Sequence, residues 1–133
     1  MLQKVFLILL LGNIMLADFK TLSTQEVQNE IKKGTVLIDI RRPEEWKHYG
    51  VIENSHKITF FDAYGNYNIE QWMKTFSEIV TKKEQKFILV CAHANRTKTV
   101  GSFLSKQLHY TNVYELDGGI NYGWLDKGLK TVK

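Results

Sequence analysis

Apolar residues follow two different periods along the chain. Val36, Leu37, Ile38 and Ile40 form a short run broken only by Asp39, and Phe87, Ile88, Leu89 and Val90 form another. Runs of this length predict buried strands. Further strands are predicted over 56–61 and 112–116. Between them the period changes. Ile69, Trp72, Met73, Phe76, Ile79 and Val80 recur at spacings of three and four, the pattern of an amphipathic helix, with Asn68 as its cap. Val100, Phe103, Leu104 and Leu108 repeat that pattern after the 87–90 run. An earlier helix starts at Ser23 or Thr24, where Ser23 and Glu26 have capping-box spacing, and runs through Val27 and Ile31 to a stop near Gly34. Pro43, the only proline, suits the first turn of a short helix. Glu44 and Glu45 would complement its dipole, and Trp46 would turn inward. A last helix over 120–126 would turn Trp124 inward. Alternating strands and helices predict one α/β domain, a central parallel sheet flanked by helices on both faces.

Residues 1–17 stand apart from this pattern. Lys4 gives a positive start, 5–11 are wholly apolar, and Ile14, Met15, Leu16 and Ala17 follow Gly12 and Asn13. The shape is that of a secretory signal peptide cut near Ala17, leaving a domain over 18–133. The stretch is shorter than the roughly 20 apolar residues of a membrane span, so no stable membrane anchor is expected. The expected location is the periplasm or the cell exterior. A membrane tether through residues 5–16, or a buried first helix, is the alternative.

The single cysteine sits where chemistry is expected. Cys91 ends the 87–90 run and opens the loop Cys91-Ala92-His93-Ala94-Asn95-Arg96-Thr97 before the next helix. In open α/β sheets ligands bind beyond the carboxyl ends of the strands. A loop that opens a helix turns several backbone N–H groups toward one point, and the helix dipole adds positive potential there. A thiolate at that point is stabilised, and so is an anionic substrate. Such a thiol is a nucleophile at neutral pH. A lone cysteine is often only buried packing, but the strand, the polar loop and Arg96 favour the nucleophile. Asp39 and Arg41 lie near the same sheet edge. They either brace the loop or pair with each other, and the structural pairing is favoured.

Three stretches together resemble the rhodanese (sulfurtransferase) family. The loop at 91–97 is similar to its active-site loop, a cysteine followed by four residues and an arginine. Residues 36–46, with Asp39-Ile40-Arg41 and an acidic turn ending in Trp46, resemble its early strand and Asp-x-Arg signature. Residues 117–124, Asp-Gly-Gly-Ile-Asn-Tyr-Gly-Trp, resemble its Gly-Gly motif ending in tryptophan. The resemblance implies that Cys91 attacks the outer sulfur of a donor such as thiosulfate and becomes a persulfide. A thiophilic acceptor, cyanide or a thiol, then removes that sulfur. Backbone N–H groups from Ala92 to Thr97 would cradle the negative sulfur. Arg96 would face the substrate or point back to hold the loop. Thr97 would donate its hydroxyl to the thiolate, Asn95 would brace the loop, and His93 would tune specificity without acting as general base. Two departures stand out. Ala94 replaces a frequent glycine, so a positive φ there would be strained. Ala92 lacks the basic side chain that many thiosulfate-using members carry, which leaves the physiological donor open.

Composition narrows the partners. Eighteen Lys and Arg are interspersed with fourteen Asp and Glu, and the net charge of +4 is a mild bias toward anions rather than a nucleic-acid footprint. One cysteine excludes an intramolecular disulfide. Cys91, His48, His56, His93 and His109 have no metal-ligand spacing, and no dinucleotide or Walker glycine loop occurs. The partners that the resemblance implies are a small sulfur-containing anion, a thiol or cyanide acceptor and, for a cellular reaction, a protein sulfur acceptor. No metal and no organic cofactor are expected. Two other functions stay open: a sulfur-carrier or binding module with little turnover, and a phosphatase or arsenate reductase on the same fold. Phosphatases of this type resemble the pattern with five residues between cysteine and arginine. Here four lie between Cys91 and Arg96.

Overall fold

The computed structural model describes residues 19–133, so the leader expected at 1–17 lies outside the described residues. Five parallel strands form one sheet in the order β1-β5-β4-β2-β3, with β1 at Phe19–Leu22, β2 at Val36–Asp39, β3 at His56–Lys57, β4 at Phe87–Val90 and β5 at Val113–Leu116. Four helices connect them, α1 (Thr24–Lys32), α2 (Pro43–Tyr49), α3 (Ile69–Ile79) and α4 (Arg96–Ser102), and α5 (Gly119–Gly123) follows the last strand. A 3-10 turn, Leu125–Lys127, follows α5. No described helix is long and apolar enough to cross a membrane.

The predicted caps form. The Ser23 hydroxyl accepts from Glu26 N–H, and the Glu26 carboxylate accepts from Ser23 N–H, closing the capping box of α1. The Asn68 side chain accepts from Gln71 N–H at the start of α3. Pro43 occupies the first turn of α2, where its missing N–H costs nothing.

Strand alternation sorts the core into two layers. Ile38, Phe87, Leu89, Cys91 and Val113 face one side, under Trp72 and Phe76 of α3 and Val100 and Leu104 beyond it. Leu37, Ile88, Val90 and Leu116 face the other, under Val27 of α1, Ile120 of α5 and Trp124. Strand β4 is buried at all four positions because it is central in the sheet and covered on both faces. Gly101 lets α4 press onto β1, since a Cβ there would lie 2.3 Å from the Phe19 ring.

Local details differ from the sequence reading. Strand β1 carries no apolar run, because it is an edge strand with only Phe19 and Leu22 half-buried. The strand expected over 56–61 pairs only at His56 and Lys57. Beyond them the backbone continues irregularly, with Ile58 N–H donating to Asp39 and Phe60 N–H to Ile40. Helix α4 passes into a π turn at Phe103–Gln107, and the helix expected over 120–126 divides into α5 and the 3-10 turn. Trp46 is only half-buried, with the Lys57 ammonium 5.5 Å from its ring centre.

Candidate active site

Strand β4 delivers Cys91 to its carboxyl end, and the chain turns through 92–95 before α4 begins at Arg96. The turn is made at Ala94, whose φ of +63° lies in the left-handed region. A non-glycine residue there costs on the order of 1–2 kcal/mol, so the strain expected from the glycine-to-alanine departure is present. Among the described residues, no protein acceptor takes a hydrogen bond from the N–H of Ala92, His93, Ala94 or Asn95 outside regular helix.

The Gly-Gly segment holds the loop from behind. Ile120 N–H donates to the Cys91 carbonyl at 2.8 Å and Asn121 N–H to the Ala92 carbonyl at 3.0 Å. Gly119 permits this approach. Its φ is +66°, and a Cβ on it would lie 2.4 Å from the Ala92 carbonyl oxygen.

Arg96 points back and does not reach across the loop. Its two terminal nitrogens donate to both Glu45 oxygens, at 2.6 and 2.7 Å, tying α4 to α2. The Glu45 hydrogen bonds raise the Arg96 pKa against the opposing effect of burial, and the charges of Glu45, Cys91 and Asp39 add to the rise. Burial pushes the Glu45 carboxyl up. The Arg96 hydrogen bonds, the Arg42 N–H and the two guanidinium charges outweigh it and hold that carboxyl below its ordinary value.

Asp39 and Arg41 are fully buried and bonded to each other. The Arg41 Nη2 donates to Asp39 at 2.7 Å and to the Gly50 carbonyl at 2.7 Å, and its Nε donates to Asp39 at 3.0 Å. The pair anchors the turn from β2 into α2. It makes no hydrogen bond to the 91–97 loop.

Thr97 lies beside the thiol and has a second partner. Its hydroxyl donates its only proton to Glu115 Oε1 at 2.6 Å, so its oxygen meets the Cys91 thiol, 3.5 Å away, as acceptor. His93 is exposed, and its ring centre lies 4.6 Å from that of Tyr122. The structure thus brings Cys91 and Thr97 together and leaves Asn95 exposed. Sequence reasoning missed Glu115, whose only signal was a carboxylate inside the apolar strand 112–116, and the role of Glu45 as the partner of Arg96. Among the described residues, no group of three His, Cys, Asp or Glu side chains is placed to hold a metal.

Comparison with known proteins agrees with this geometry. The family model described as Rhodanese-like domain matches residues 23–126. The thiosulfate sulfurtransferase GlpE of Ectopseudomonas mendocina is 27% identical over 104 residues, which cover 78% of this chain and 84% of that protein. An uncharacterized protein of Rickettsia prowazekii is 27% identical over 103 residues, 75% of this chain and 80% of its own. The polysulfide-sulfur transferase homodimer of Wolinella succinogenes shares the fold with a TM-score of 0.63 at 21% identity, covering 84% of this chain and 76% of that one.

Proposed function

Because the chain belongs to the rhodanese-like domain family, we propose that Cys91 carries a sulfane sulfur from a small anionic donor to a thiophilic acceptor. The observation that carries this reading is a buried cysteine at the end of the central strand, followed by four residues whose N–H groups have no protein acceptor. In the loading step the Cys91 thiolate attacks the outer sulfur of thiosulfate. An S–S bond forms, the bond to the sulfonate sulfur breaks, and sulfite leaves with the electron pair. The persulfide anion then sits where the loop amides can donate to it. In the second step cyanide or a thiolate attacks the outer sulfur, and Cys91 leaves as thiolate. The relatives' names support a thiosulfate or polysulfide donor.

Two features weigh against a phosphatase. The loop is one residue short of that pattern, and Arg96 is committed to Glu45 through both terminal nitrogens. The test is turnover. Purified protein with thiosulfate and cyanide should release sulfite and thiocyanate, and Cys91→Ser should release neither. Sulfur loading without thiocyanate release would make the protein a carrier. Residues 1–17 support export and removal of the leader, with a mature chain beginning near Asp18. Fractionation that finds the full-length chain in the cytosol contradicts that part.

A further inference from the structure

Glu115 is a carboxylate with no exposed surface, set in a strand between the apolar residues of β5. A buried carboxylate carries a desolvation cost that an apolar side chain at the same position would not. Three donors hold it: Thr97 Oγ1 on Oε1 at 2.6 Å, Thr21 Oγ1 on Oε2 at 2.6 Å and Lys98 Nζ on Oε2 at 2.8 Å. Leu89 is its neighbour in the sheet, and Cys91, two residues further on, shares that face. The thiol, the Thr97 hydroxyl and the carboxylate therefore form one line, with the Cys91 Sγ–H directed at Thr97 Oγ1 and the Thr97 O–H directed at Glu115.

We propose that this line is a proton relay, with Glu115 a positioning residue that takes the Cys91 thiol proton through Thr97. The proposal rests on the sulfur-transfer reading. Before loading, the Sγ–H bond breaks and its proton passes to Thr97 Oγ1, while the Thr97 proton passes to Glu115 Oε1. One negative charge moves from Glu115 to Sγ, and nothing is oxidised or reduced. On unloading, the acceptor takes the outer sulfur, the electron pair of the broken S–S bond stays on Sγ, and the proton returns by the same route. His93 is exposed, with its ring beside Tyr122, and is not needed for either transfer. The charged groups around the line are few. Lys98 lies on Glu115, Arg96 is within electrostatic reach of Cys91, and Asp39 and Arg41 neutralise each other below the loop. Strand β1 contributes the neutral Thr21 hydroxyl to the carboxylate.

The test reads the thiol without sulfur chemistry, by the rate of Cys91 alkylation with iodoacetamide as a function of pH. Glu115→Gln still accepts from Thr97 but takes no proton, and Thr97→Val removes the bridge. Both should alkylate about tenfold or more slowly than wild type at neutral pH. Their pH profiles should move upward and reach the wild-type rate at high pH. The double variant should be no slower than either single one, and Thr97→Ser should recover most of the rate lost in Thr97→Val. A folded Glu115→Gln protein with the wild-type profile overturns the proposal. If circular dichroism shows that Glu115→Gln does not fold, Thr97→Val decides, and an unmoved profile overturns the relay. A wild-type protein that shows the relay profile but loads no sulfur overturns the sulfurtransferase reading alone.

Discussion

Replacing Glu45 by glutamine separates the charge of the Glu45–Arg96 pair from its shape. The two hydrogen bonds, at 2.6 and 2.7 Å, are parallel and charge-assisted. The side chains are 13% and 23% exposed, so the pair is neither a surface ion pair nor a dry one. Exposed pairs contribute up to about 1 kcal/mol, and hydrogen bonds to charged groups about 1.5–3 kcal/mol. A coupling of about 2 kcal/mol is expected from a cycle of Glu45→Gln, Arg96→Gln and the double variant, measured by urea denaturation at neutral pH. The pH dependence has a definite sign. The folded carboxyl of Glu45 is held below its ordinary value. Its contribution is therefore complete above the unfolded value and is lost as pH falls through the folded one. The coupling should shrink in acid. A coupling below about 0.5 kcal/mol at neutral pH, or one that grows as pH falls, refutes the view that this pair ties α4 to α2.

Three further outcomes follow from the site. Asp39→Asn leaves the Arg41 guanidinium buried without its counter-charge, and urea denaturation should register a loss of about 3–5 kcal/mol; a loss under about 1 kcal/mol would contradict the assigned anchor. Gly119→Ala places a methyl 2.4 Å from the Ala92 carbonyl at a φ of +66°, and should lower stability by more than about 2 kcal/mol and reduce sulfur loading together. His93→Ala removes the ring beside Tyr122 and should raise the KM for donor while changing kcat little; a fall in kcat as deep as that of Cys91→Ala would make His93 part of the chemistry.

The parts of the fold that could be read in advance are those whose signal is local. Phe87–Val90 declares a doubly covered strand by its composition, and Ser23 and Asn68 announce helix starts because a cap acts within three residues. Ala94 could be flagged because one backbone position carries the strain, and the structure supplies the positive φ. What escaped is tertiary. Strand β1 exists because β5 pairs with it, not because Phe19–Leu22 has strong strand character. Strand β3 is short because only two of its residues meet β2. Arg96 could not be aimed from sequence, since its partner Glu45 lies 51 positions away. The second partner of Thr97 could not be read either, since Glu115, which takes its proton, comes from another strand.

Intact mass spectrometry of the purified protein, before and after thiosulfate and again after cyanide, tests the central claim most directly. The wild type should gain the mass of one sulfur atom with thiosulfate or another sulfane donor and lose it to cyanide, and Cys91→Ser should gain nothing. A wild type that never gains sulfur from any sulfane donor, yet hydrolyses an aryl phosphate in a Cys91-dependent manner, would contradict the account.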